Sequence, residues 1–300
     1  MALSPLISKA YNNHHNRSLS LPCPKSSNPA FSHLERTLSD IRASEASCSS
    51  LSSTNDTLNG LKNLYFEIGE LLQLPHVQHI NLQEFDQEKW ADQLLDGHIN
   101  LLDACTTAKD LVSQMKQNIR DLLSALRRKD TDNIRCYLNS RRKLKRTIQK
   151  SLKVLRRSFK SKHDSMIINV ASLCKDNHGT MDLVCMLKDA ETVTVSMLES
   201  LLSHLIGAND SNKARQARHK SGWSLVVSKM LVSKKIASHN ECEKIDGFFQ
   251  MSLEVVQANE NIMSHLKKTE SSIQNIEEEL DGLFRQLIKI RVILLNLLNH

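Results

Sequence analysis

Proline is missing from the last 225 residues of this 300-residue chain, because all five prolines fall at or before Pro75. A proline inside a helix removes a hydrogen-bond donor and clashes with the preceding turn, so its absence permits very long helices. Glycine is scarce as well. Eight glycines leave little material for a phosphate-cradling turn, and neither a Gly-x-Ser-x-Gly elbow nor a His-Glu-x-x-His pair is present. Aromatic residues make up 4% of the chain against 24% charged residues, a balance that fits helices packed through Leu, Ile and Val rather than a β-sandwich or a compact α/β enzyme. The seven cysteines are odd in number and include no Cys-x-x-Cys pair, which points to neither a disulfide framework nor a zinc site. The expected home is a reducing one, the cytoplasm. No long apolar run exists either: the richest stretch, Leu287 to Leu298, is interrupted by Lys289, Arg291 and Asn296 and is too short to span a bilayer. The first 34 residues lack any acid and hold seven serines. A disordered tail is the main expectation there, with a plastid transit peptide as the alternative.

What is present is an apolar repeat with steps of three and four. It runs through Ile245, Phe248, Val255, Ile262, Leu266, Ile273, Ile276, Leu280, Leu283, Leu287, Ile290, Leu294 and Leu297, with Ser252, Asn259 and Thr269 on the remaining rungs. That is a heptad seam. Upstream, Asn28-Pro29 reads as an N-cap and first helical position, followed by Leu34, Leu38 and Ile41 on one face. A Ser-rich break at 47–53 precedes a helix over 54–74, which carries Leu58, Leu61, Tyr65, Ile68 and Leu72 and stops before Pro75. A third helix over 84–128 has Leu94, His98, Leu101, Cys105, Ala108, Val112, Met115, Ile119, Leu122 and Leu126 as rungs. His98 is read as a hydrogen-bonded core group and Cys105 as a small hydrophobe. Asp130 to Asn133 supply turn and cap residues, so the chain reverses into a fourth helix over 131–175. Gly179 and Gly207 bracket a fifth over 180–206, whose Ala-Glu-Thr-Val-Thr-Val run has poor intrinsic propensity and must be held by packing. After a polar linker at 208–222, Trp223 opens a sixth, and Asn240 with Glu243 caps a seventh that carries the seam. The predicted fold is all-α, an elongated antiparallel bundle with coiled-coil-like seams over 29–300, behind a disordered Ser/Pro-rich tail at 1–28.

Charge is concentrated in the fourth helix. Residues 127–162 hold fifteen Lys and Arg against Asp130 and Asp132, a local charge of +13 in a chain of +7. On a helical wheel Ile134, Tyr137, Leu144, Ile148, Leu152, Leu155 and Phe159 share one sector. Arg142, Lys143, Lys145, Arg146, Lys150, Lys153, Arg156, Arg157 and Lys160 project from its flanks as a candidate surface for anions. Arg141 falls inside the apolar sector, from which its head is expected to snorkel outward. Four occupants are weighed for such a face. Anionic lipid headgroups attract each nearby Lys or Arg by about 1 kcal/mol. Nucleic acid is disfavoured because the nearby aromatics, Tyr137 and Phe159, lie on the apolar side. The intramolecular alternative sets Glu84, Asp86, Glu88, Asp92, Asp96 and Asp103 of the third helix against the basic one, and an acidic protein partner is also open.

Other charged or ligand-like groups carry less. His76-x-x-His79 near Glu84 lacks a matched third metal ligand and reads as a surface turn, and Glu277 to Glu279 read as a solvated face or as partners for lysines of a neighbouring helix. No catalytic residue, metal, cofactor or small-molecule substrate is expected. In the tail, Arg17-Ser18-Leu19-Ser20-Leu21-Pro22 sets an arginine three residues before Ser20 and a proline two after it, the pattern that 14-3-3 proteins read as phosphoserine.

Four ordered blocks are similar to the plant-specific BYPASS-related proteins: Arg17 to Pro22 with Asn28-Pro29, the helix from Asp189 to Leu202, the segment Gly222-Trp223-Ser224-Leu225-Val226-Val227-Ser228-Lys229, and the ending Leu283 to His300. The doubled valine at 226 and 227 departs from the single valine of the family block. The resemblance covers nearly the whole chain and implies a non-enzymatic plant protein connected with root and shoot development through a root-derived mobile signal. It supplies no active site. A regulatory or scaffold protein is therefore the expectation, with a peripheral protein binding anionic lipid through 127–162 as the alternative.

Overall fold

The computed structural model describes residues 29–46, 50–78, 87–173, 178–207 and 260–299. All of its regular elements among these residues are helical: α1 (Pro29–Ala46), α2 (Leu51–Leu72), the single turn α3 (Pro75–Gln78), α4 (Gln87–Arg128), α5 (Thr131–Leu173), α6 (His178–Ile206) and α7 (Glu260–Asn299). The predicted helix at Trp223, the start of the last helix at Asn240 and the tail at 1–28 lie outside the described residues.

Local chemistry sets the ends. The Ser-rich stretch read as a break turns out to be a cap, which starts α2 three residues earlier than predicted. Ser50 Oγ accepts the Ser53 backbone N–H at 3.1 Å, and Ser53 Oγ accepts the Ser50 N–H at 3.2 Å. Asp130 likewise caps α5 by accepting the Asn133 N–H at 3.0 Å. That bond and a second one from the Asn133 side chain hold the Asp130 carboxyl below its ordinary pKa. At the end of α6 the chain turns through Gly207 with φ 74°, a left-handed conformation that favours glycine.

The long helices pack around one core. Helices α2, α7, α4 and α6 follow one another around it, with α1 laid over the α2/α6 groove and α5 over the α4/α6 groove. Arg141 meets Met115 across the α4–α5 hairpin, and Ser44 meets Thr57 across α1–α2, so these chain neighbours run antiparallel. Helices α2 and α7 are parallel instead. Lys62 reaches Glu279 at 2.6 Å, and about two turns further along α2 a Cβ on Gly69 would touch Ile290, further along α7 as well, so both helices advance together.

Every seam rung of α7 from Ile262 through Thr269 to Leu294 is buried. Facing it, His98 Nε2 donates to the Leu287 carbonyl at 2.8 Å, and seven residues on, the Cys105 thiol points at the Leu280 carbonyl at 3.8 Å. Both sequence readings hold. Burial keeps the imidazole neutral by pulling its pKa down, and pushes the thiol up to about 12, so neither group is ionised inside the bundle at neutral pH. Outside this seam Lys116 pairs with Glu277, Lys109 with Asp281, and Arg120 with Glu270 at 2.7 Å. With Lys62 on Glu279, the acidic run of α7 serves neighbouring lysines, as one of its two readings expected.

Helix α6 is the most enclosed, with neighbours α1, α2, α4 and α5. Residues 183, 184, 186–188, 190, 191, 193–195, 197 and 198 are buried, on more than one face of the helix. A helix apolar nearly all round belongs in a core, which answers how its weak Ala190–Val195 run stays helical. The polar groups it carries inward are satisfied. The Thr194 hydroxyl donates to the Ala190 carbonyl at 2.7 Å and meets Tyr65 OH at 3.0 Å, while Lys188 Nζ donates to Glu191 Oε2 at 2.7 Å.

Candidate anion-binding face

The apolar sector of α5 docks as the wheel predicts: Ile134, Tyr137, Leu144, Ile148, Leu152 and Leu155 are buried, and Phe159 is half-buried against the core. The opposite side is open. Arg142, Lys143, Arg146, Lys150, Lys153 and Arg157 are all exposed. Among the described residues, Arg142 bonds within its own helix, to Asn139 Oδ1 at 3.3 Å. Among the described residues, no acid comes within ion-pair distance of the other five.

Three members of the predicted face stand apart from that row. Arg156 Nε donates to Glu199 Oε2 of α6 at 2.9 Å and so sits toward the bundle. Lys145 is half-buried and already engaged in a contact. The Lys160 side chain lies outside the described residues.

Arg141 corrects the expectation of snorkelling. Its side chain is 2% exposed, and Nη2 donates to the Leu205 carbonyl at 2.7 Å while Nη1 approaches Met115 Sδ at 3.3 Å. The last carbonyls of a helix lack intrahelical partners and carry the negative end of its dipole. A guanidinium placed there is held better than one stretched out to water. A hydrogen bond involving a charged group contributes about 1.5–3 kcal/mol. Arg141 thus ties α5 to the end of α6 and is withdrawn from the outer surface.

The acids expected to complement this face do not do so among the described residues. Asp92, Asp96 and Asp103 are exposed and make no ion pair with α5. Glu84 and Asp86 lie outside the described residues, and for Glu88 only the backbone is described.

A family model described as Protein BPS1 matches residues 57–297, four-fifths of the chain. The chain belongs to that family. No curated protein and no solved structure matches it. The match begins inside α2 and leaves out α1, and it contains the whole of α5, so the basic row lies within the region that defines the BPS1 family here.

No described group of three or more His, Cys, Asp or Glu side chains is arranged to hold a metal, and among the described residues no helix is long and apolar enough to cross a membrane. The His76 side chain, His79 and the tail with Arg17, Ser18, Ser20 and Pro22 are outside the described residues. Sequence reasoning missed the Lys188–Glu191 pair, whose side chains are each only 10% exposed. An (i, i+3) pair of opposite charge ordinarily marks a solvated helix face, and only the apolar residues on both sides hinted otherwise.

Proposed function

We propose that this BPS1-family protein is a non-enzymatic regulatory scaffold acting in plant root and shoot development, and that it works by docking through the outer face of α5. The developmental setting rests on the resemblance to the BYPASS-related proteins. The docking reading rests on one observation: a row of exposed bases with no described acid partner, on a helix whose other side, over 134–155, packs into the core. The bait comparison uses full-length protein in root extract, wild type against the variant with Arg142, Lys143, Arg146 and Lys150 all changed to Gln. Cross-links to captured proteins should converge on 142–157 and be lost in the variant. Cross-links that avoid α5 altogether overturn the docking reading.

A second reading is favoured by Val154, which at 61% is the most exposed large apolar side chain among the described residues and stands beside Lys150, Lys153 and Arg157. Bases around an apolar tip suit an anionic lipid surface. At about 1 kcal/mol for each base near such a surface, the four substitutions should abolish most co-sedimentation with phosphatidylserine vesicles at low salt. Folding stability should hardly change, because solvated charges contribute little to it. A wild type that stays in the supernatant at low salt removes the lipid reading.

The Ser20 motif adds a separate handle. Phosphorylation of Ser20 by a basophilic kinase is expected to create a 14-3-3 site, lost in Ser20→Ala and weakened in Pro22→Ala. Equal binding of phosphorylated and unphosphorylated protein in a titration would refute it.

A further inference from the structure

The outer side of the α4–α5 hairpin carries two charged rows of opposite sign. Asp96, Asp103 and Asp110 recur every seventh residue on α4, with Asp92 one turn before them, and all four are exposed. Among the described residues, no base pairs with any of them. Lys143, Lys150 and Arg157 recur in the same way on α5, flanked by Arg146 and Lys153. A third sevenfold series, Ser140, Thr147 and Val154, is also exposed. Ser140 shares a cleft with Asp121 and Ser124 of α4, so this small-residue strip lies between the acids and the bases. Counting from the Met115–Arg141 contact along the antiparallel pair, Arg146 stands level with Asp110 and Lys153 with Asp103.

We infer that this face binds a second copy of the same chain. A twofold axis parallel to the two helices turns the face over while keeping its level along them, so the acid row of one protomer lies over the base row of its partner and the base row over the acids. Asp110 then meets Arg146, and Asp103 meets Lys153, in both directions at once. An axis across the helices would set acid on acid, so the charges select one of the two arrangements. The strip of Ser140, Thr147 and Val154 meets its own copy on the axis, where short side chains allow close approach and the exposed valine loses its contact with water. Two adjacent helices present a face of about 20 by 30 Å, roughly 600 Å² per protomer, which lies at the small end of specific interfaces. Such a dimer is reversible and salt-sensitive. It also covers the basic row, so lipid binding and self-association would exclude each other on one protomer.

Sedimentation equilibrium of purified full-length protein tests this without lipid or extract, independently of the docking reading above. At low salt and micromolar concentration the wild type should approach twice the monomer mass, and it should revert to monomer at 1 M salt, where screening acts over about 3 Å. The variant Asp96→Lys, Asp103→Lys, Asp110→Lys should be monomeric at low salt, as should Arg146→Glu, Lys150→Glu, Lys153→Glu. An equimolar mixture of the two should re-form a dimer, because one face is then wholly basic and the other wholly acidic. Unaltered helical circular dichroism would confirm that the variants are folded. Should either triple variant fail that check, the neutral sets Asp→Asn and Lys/Arg→Gln at the same positions should each weaken the dimer at least tenfold. A wild type that stays monomeric at low salt, or dimers that survive either set of changes, overturns the inference.

Discussion

Leu280→Asp should unfold the protein or lower its stability by on the order of 5 kcal/mol, the largest single-residue effect expected on the seam. Leu280 is fully buried on α7, between Ile276 and Leu283, and its own carbonyl already receives the Cys105 thiol. The substitution removes a packed side chain, which alone costs about 2–5 kcal/mol when leucine is truncated. It also leaves a carboxylate with no hydrogen-bond partner in an apolar layer. The cations around this stretch of α7 are committed outside that layer: Lys62 to Glu279, Lys109 to Asp281, and Lys116 to Glu277. Urea denaturation followed by circular dichroism gives the comparison. Asn275→Asp, on the exposed face of the same helix, should shift the midpoint by no more than about 0.5 kcal/mol equivalent. A Leu280→Asp protein as stable as that control would mean that the seam does not hold α7 to α2 and α4.

That seam is also where the sequence was most legible, because a sevenfold apolar period survives any uncertainty about what the helix packs on. The rungs on α4 and α7 were readable for the same reason, including His98 and Cys105, whose partners turned out to be the backbone carbonyls of the facing seam. Boundaries were less legible. A serine cluster is equally good as a flexible break and as a capping box, and only the reciprocal Ser50–Ser53 bonds decide which it is. Arg141 exposes the limit of the helical wheel, which gives the direction of a side chain but not what lies at its end. The α6 carbonyl of Leu205 comes from 64 residues further along the chain. The acids of α4 were visible as residues, yet the direction in which they face depends on how α7 and α5 divide the surface of α4. The parallel pairing of α2 with α7 joins side chains 217 residues apart, which no local pattern encodes. Of the candidate face, the charge and its spacing were legible, and the loss of Arg141, Lys145 and Arg156 to internal or flanking contacts was not.

Lys188→Met should be the other severe change, at about 3–5 kcal/mol, although it exchanges one long side chain for another of similar volume. The reason is what it leaves behind. Glu191 Oε2 accepts Lys188 Nζ at 2.7 Å inside the most enclosed helix of the bundle, and both side chains are nearly out of contact with water. Gly97 of α4 gives the carboxylate its room, since a Cβ there would lie 3.1 Å from Oε2. Without the ammonium, the carboxylate must either stay charged and unpaired or take up a proton, and both alternatives are expensive in a dry site. Glu191→Leu alone should be severe as well, because it strands the ammonium. The double variant Lys188→Met, Glu191→Leu removes both charges and should recover most of the loss, since a buried pair replaced by apolar groups of similar size is often close to neutral. Thermal melts of the wild type, the two single variants and the double variant form a closed cycle. A strongly favourable coupling between the two sites is the expected outcome. Additive losses in the double variant would mean that the two groups act separately, each held by contacts other than their mutual ion pair.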